Sequence, residues 1–209
     1  MNYLYLHGFA SSPKSGKAIF LQEKFAQIGL ALNVPDLNLG NFTEATLTKQ
    51  LDFLQTEYGK APLVVIGSSL GGYLALQMAI ANPKVEKLIL LAPAFKFSQC
   101  LERDLGADAI TQWQTIGTRE IYHYGLNQPL ALKYEFLTDA QTYLPKSLDR
   151  ELPIYIIHGD KDTVVLPELS QEFAANHPYA TLEIVESDHS LGNVVDLIWE
   201  RTKAFLELA

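Results

Sequence analysis

Leu63-Val64-Val65-Ile66-Gly67-Ser68-Ser69-Leu70-Gly71 decides the fold, together with the run Tyr73-Leu74-Ala75-Leu76-Gln77-Met78-Ala79 that follows. The first four residues are apolar and mostly β-branched, as a buried strand requires. The later run is built of helix formers. Between them lies Gly-x-Ser-x-Gly, the strand, sharp turn and helix context of a nucleophile elbow. Such a turn holds its central serine hydroxyl clear of the sheet, and glycines two residues either side remove the Cβ atoms that would clash there. Ser69 is the candidate nucleophile. The competing reading, a phosphate cradle at a helix N-terminus, fits poorly: the turn lacks the Lys-Ser/Thr ending of a P-loop, and Gly67, Gly71 and Gly72 do not have dinucleotide-binding spacing.

Outward from that stretch, short apolar runs alternate with amphipathic ones, the pattern of a mostly parallel, doubly wound α/β sheet. Strands are expected at 3–7, 31–35, 63–67, 87–92, 153–158 and 181–185, and helices at 14–28, 43–58, 70–81, 167–175 and 191–206. Residues 93–151 break this rhythm. They carry scattered aromatic and aliphatic residues and no clear strand, and are expected to form a helical cap over the carboxyl edge of the sheet, since long insertions in compact domains are commonly lids. The bland alternative is a pair of ordinary surface helices.

The 209 residues suit a single domain, 1–209, with 48% apolar and 19% charged residues, an ordinary globular balance. The formal net charge of -8 argues against nucleic acid or an anionic membrane as partner, because both call for a basic footprint. Cys100 is the only cysteine, so an intrachain disulfide is excluded and a cysteine-built metal site is not expected. Residues 1–6 alternate like a strand rather than a leader peptide. No apolar run approaches the ~20 residues needed to span a bilayer. A cytoplasmic protein is expected; the oligomeric state is not legible.

A serine hydroxyl needs a positioned base. Of His7, His123, His158, His177 and His189, the last lies in Glu186-Ser187-Asp188-His189-Ser190, a polar loop between the last strand and last helix. That loop opens at the carboxyl edge, as the elbow does. His158 ends a strand, His177 suits a turn at the opposite edge, and His123 falls in the cap. The orienting carboxylate is expected from His158-Gly159-Asp160-Lys161-Asp162, and Asp162 gives the chain order Ser, Asp, His. Asp160 or Asp162 is a turn former, and Asp188 is too near His189 in sequence to orient it. Two backbone N–H groups are expected to meet a developing oxyanion. One is Leu70, at the helix start. The other is Phe9, with Ala10 as the alternative, in the loop His7-Gly8-Phe9-Ala10-Ser11-Ser12-Pro13.

These motifs resemble the α/β-hydrolase superfamily along essentially the whole chain. Tyr5-Leu6-His7-Gly8-Phe9-x-Ser11-Ser12-Pro13-x-Ser15 and Ile66-Gly67-Ser68-Ser69-Leu70-Gly71-Gly72-Tyr73 resemble, more narrowly, the YqiA-like esterases of bacteria. The His158–Asp162 loop is fuller than in that group and closer to α/β-hydrolases at large. The resemblance implies hydrolysis of small carboxylic esters, with short acyl chains, through an acyl-enzyme on Ser69 and without metal or organic cofactor. A thioesterase or peptidase would use the same groups. A ligand-binding protein on this fold, without turnover, is the rival of another class.

Overall fold

The structure, a computed structural model, describes residues 1–143, 148 and 150–208. In chain order the strands are β1 Asn2–Leu6, β2 Leu32–Asn33, β3 Leu63–Ser68, β4 Val85–Leu91, β5 Thr118–His123, β6 Gln128–Lys133, β7 Ile154–Gly159 and β8 Ala180–Val185. The helices are α1 Gly16–Gln27, α2 Leu47–Tyr58, α3 Leu70–Ala81, α4 Phe97–Leu105, α5 Ala107–Ile116, α6 Glu135–Thr142, α7 Glu168–Asn176 and α8 Val195–Leu206.

Six strands form a parallel sheet in the order β2-β1-β3-β4-β7-β8. Alternation along each strand feeds two cores. Leu4, Leu6, Val65, Leu88, Leu90 and Ile156 face α2 and α3, while Tyr5, Ile66, Ile89, Leu91 and Ile157 face α1 and α8. Both faces are therefore covered, which is why the central strands read as continuous apolar runs. The flanking loops that carry the candidate residues all leave carboxyl ends of strands, so they converge on one edge of the sheet. No helix among the described residues is long and apolar enough to cross a membrane.

The segment between β4 and β7 corrects the expectation of an all-helical cap. It contains α4, α5 and α6, but also an antiparallel hairpin, β5 with β6, forming a sheet of its own. The expected boundaries of 93–151 include 144–147 and 149, which lie outside the described residues. Trp113, Leu132, Phe136, Leu137 and Ala140 from this segment join the same core as Leu4 and Val65. Trp113 is pinned further by its Nε1–H donating to Leu132 O at 2.9 Å. Two smaller differences concern lengths. The second strand shrinks to Leu32–Asn33, just short of Pro35, which has no N–H to donate to a ladder. The second helix begins at Leu47 rather than 43, because Thr46 Oγ1 accepts from the Lys49 N–H at 3.1 Å and caps it there, after a 3-10 turn at Phe42–Glu44.

Candidate active site

Ser69 sits at the junction of β3 and α3 with φ 55° and ψ -119°, a conformation L-residues rarely adopt. The backbone around it over-determines that strain. Its N–H donates to Leu91 O at 2.9 Å, and its carbonyl accepts from the N–H groups of Gly72 and Ala94 at 3.0 and 3.1 Å. A Cβ on Gly67 would lie 2.3 Å from Gly71 O, and one on Gly71 would lie 2.1 Å from Leu6 O. Only glycine fits at either place, so the sequence pattern has a direct steric cause.

The structure brings His189 and Asp162 to this serine. His189 Nε2 is 3.0 Å from Ser69 Oγ, and His189 Nδ1 is 2.7 Å from Asp162 Oδ2. A carboxylate on the Nδ1 side puts the imidazole proton there, leaving Nε2 to accept from the serine hydroxyl. Asp162 is 3% exposed yet fully engaged. Its Oδ1 accepts from the N–H groups of Val164 and Val165 at 2.9 and 2.8 Å, and its Oδ2 also accepts from His158 Nε2 at 3.1 Å. Burial acts to raise the Asp162 pKa, but the hydrogen bonds from His158, His189 and Val165 outweigh it and hold the carboxyl well below the usual range.

His158 is the residue the sequence left without a task. It is 0% exposed, with Nε2 also 2.8 Å from Val165 O and Nδ1 2.7 Å from Ser170 Oγ. Two acceptors at Nε2 require the proton there, so Nδ1 accepts from the Ser170 hydroxyl. The His-Gly-x-x-Asp spacing was visible; the shared carboxylate oxygen was not. The other acids near this edge do different work. Asp160 accepts from the Ser187 N–H at 3.1 Å, and Asp188 closes a turn with the Ser190 N–H and hydroxyl at 2.9 and 2.6 Å. His177 stacks on Phe173 at 4.0 Å in the α7-to-β8 turn, as a histidine of the opposite edge should.

The loop after β1 passes beside the serine: a Cβ on Gly8 would meet Ser69 Cβ at 3.4 Å. Phe9 follows it and Leu70 begins α3, where the first N–H groups of a helix have no intrahelical acceptor. The Phe9 ring is held by Phe136, Phe97 and Phe42 at centroid distances of 5.0, 5.7 and 5.9 Å. Ala10 has φ 49°, and its carbonyl accepts from the Tyr124 N–H of the β5–β6 turn at 2.7 Å. His123, at the end of β5, contacts Asn38 Oδ1 at 3.2 Å and accepts the Leu126 N–H at 3.1 Å. The insertion thus braces the loop beside Ser69.

Ser69 and His189 open into a cavity of about 620 Å³ that is mainly apolar, with Phe9, Phe97, Leu101 and Leu105 among its walls. Cys100 lines it too, and burial raises its thiol pKa, so it stays protonated. Residues 2–207 match the model of the Uncharacterised protein family (UPF0227). The chain belongs to that family. This UPF0227 member has the α/β-hydrolase fold expected from its motifs. It is 27% identical to the human mitochondrial palmitoyl-protein thioesterase ABHD10 over 217 residues, covering 93% of this chain and 68% of that protein. Its fold matches mouse alpha/beta hydrolase domain-containing protein 10 with TM-score 0.80 at 22% identity, covering 99% of this chain and 89% of that one. It likewise matches Est1E of Butyrivibrio proteoclasticus with bound ferulic acid, with TM-score 0.79 at 23% identity over 98% and 88% of the two chains.

Proposed function

We propose that this UPF0227 member is a serine hydrolase that cleaves small carboxylic esters with short acyl chains. The observation that carries the reading is the continuous path from Ser69 Oγ to His189 at 3.0 Å and on to Asp162 at 2.7 Å, at a strained elbow. His189 takes the serine proton as the hydroxyl attacks the ester carbonyl. Asp162 fixes the tautomer and stabilises the imidazolium. The N–H groups of Phe9 and Leu70 receive the oxyanion. His189 then protonates the leaving alcohol, and later activates the water that releases the acid from Ser69. Protein groups carry every step.

A thioester is the second reading, favoured by the name of the human relative, a palmitoyl-protein thioesterase. The test is turnover of 4-nitrophenyl acetate and butyrate beside the corresponding thioesters. Ser69→Ala and His189→Ala should each lower kcat by about 10⁴-fold or more, and Asp162→Asn by about 10³–10⁴-fold. Wild-type turnover no better than that of Ser69→Ala, together with no labelling by a fluorophosphonate, would make the protein a binder instead. Faster release from thioesters than from oxygen esters would move the substrate assignment.

A further inference from the structure

Two cations, Arg119 and Lys17, line the cavity, and among the described residues neither forms an ion pair with a carboxylate within 4.0 Å. Alternation along β5 turns Arg119, Ile121 and His123 towards the protein and leaves Thr118, Glu120 and Tyr122 exposed. Arg119 therefore enters a largely apolar wall. Its Nε is buried with no hydrogen-bond partner, and among the described residues no carboxylate lies within 4.0 Å of the guanidinium. Lys17, in the first turn of α1, lines the same cavity and donates to Ser190 O, the carbonyl next to His189. Burial pulls its pKa down to about 8, against the opposing pull of Asp188. Of the two acids in the wall, Asp104 is already held by Arg103 at 3.0 and 2.7 Å, and Glu120 lies on the exposed side of β5.

Arg119 is half-buried, and burying its Nε–H without an acceptor is destabilising, while arginine has no neutral form to retreat to near pH 7. The chain as a whole carries -8, so its general field repels anions and only local cations can hold one. We propose that the esters accepted here carry a carboxylate, which Arg119 binds with its planar fork while Lys17 adds to the local positive field. This deepens the hydrolase reading and rests on it. A monoanion fits better than a phosphate, because one permanent cation faces the cavity and Glu120 and Asp104 share its wall.

The test is binding to Ser69→Ala, which leaves esters intact, so affinity is read apart from turnover. Two pairs of probes place the charge on either side of the ester: mono-4-nitrophenyl adipate beside 4-nitrophenyl hexanoate, and 4-acetoxybenzoate beside phenyl acetate. In at least one pair the carboxylate is expected to bind about 10–100-fold more tightly than its neutral partner. Adding Arg119→Gln should abolish that preference, and Arg119→Lys should retain part of it. Equal affinities within both pairs overturn the inference without any Arg119 variant, as does a preference that survives Arg119→Gln. Tighter binding of 4-acetoxyphenyl phosphate than of 4-acetoxybenzoate overturns the choice of carboxylate. The hydrolase reading is judged separately, by wild-type turnover of the neutral esters: turnover with charge-blind binding removes only the carboxylate, and charge-selective binding without turnover removes only the hydrolysis.

Discussion

The parallel sheet and the insertion between β4 and β7 hold the site by different physics. The sheet delivers Ser69, Asp162 and His189 through backbone: each leaves the carboxyl end of a strand, β3, β7 and β8, paired to its neighbours in fixed register. The insertion acts through side chains. Phe97 and Phe136 clamp Phe9 and His123 ties the hairpin to Asn38, with one backbone bond, from the Tyr124 N–H to Ala10 O, beside them. Backbone positioning is rigid and intolerant of added atoms; side-chain bracing can loosen while the fold survives. One architecture thus separates the placing of the candidate serine from the shaping of the cavity in front of it.

The sharpest trial of that contrast is Gly71→Ala. The new Cβ would meet the backbone of Leu6 and His7, which is locked in the sheet and cannot swing aside. The expected loss is about 3 kcal/mol or more, or no soluble protein, measured by urea unfolding. Phe136→Ala deletes a fully buried ring of the insertion and should cost about 3–5 kcal/mol. It should also lower kcat by freeing Phe9, while the Ser69–His189 pair still reacts with a fluorophosphonate. If Phe136→Ala leaves kcat untouched, the bracing role fails.

Next in size is His158→Leu. It removes one of the four donors to Asp162 and strands Ser170 Oγ, for an expected loss of about 1–3 kcal/mol. With one donor fewer, the Asp162 oxygen attracts the His189 proton more strongly. The acid limb of kcat/KM should therefore move to higher pH, a shift that simple loosening of the core would not produce. An unmoved limb would reduce His158 to packing.

The same contrast explains what the sequence disclosed. Buried parallel strands are covered on both sides, so 63–67 and 153–158 stand out as apolar runs, and the steric demands at Gly67 and Gly71 make the elbow readable. Ser69, Asp162 and His189 follow because strand ends dictate where their loops open. The hairpin was hidden. Its strand alternates, but two of its three inward positions are Arg119 and His123, so the hydrophobic signal is weak. Its partner contains Pro129, which argues against a strand unless the strand is at an edge, as β6 is in this two-stranded sheet. The contact of His158 with Asp162 depends on the loop turning back over four residues, which composition does not encode.

The smallest effect concerns the pH sensitivity of the bracing. His123 lies against the Phe42 ring edge at 4.9 Å and near Asn38, with His7 and Asp36 the titratable groups that act on it. Burial lowers its pKa from 6.5 and outweighs the opposing pull of Asp36. The Leu126 N–H points at Nδ1, so a proton there would collide with a donor already in place. Because the folded pKa is depressed, the unfolded chain takes up this proton first as the pH falls. The contribution of His123 is complete above about 6.5 and is lost as the pH drops towards the folded value. Stability measured by urea unfolding from pH 7 to pH 5 should fall less steeply in His123→Gln than in the wild type. Hydrogen exchange should localise the wild-type loss to the β5–β6 hairpin, leaving the central strands β3 and β4 protected. Uniform loss across both sheets would mean that the insertion and the scaffold unfold as one unit, and the distinction between backbone placement and side-chain bracing would not extend to stability.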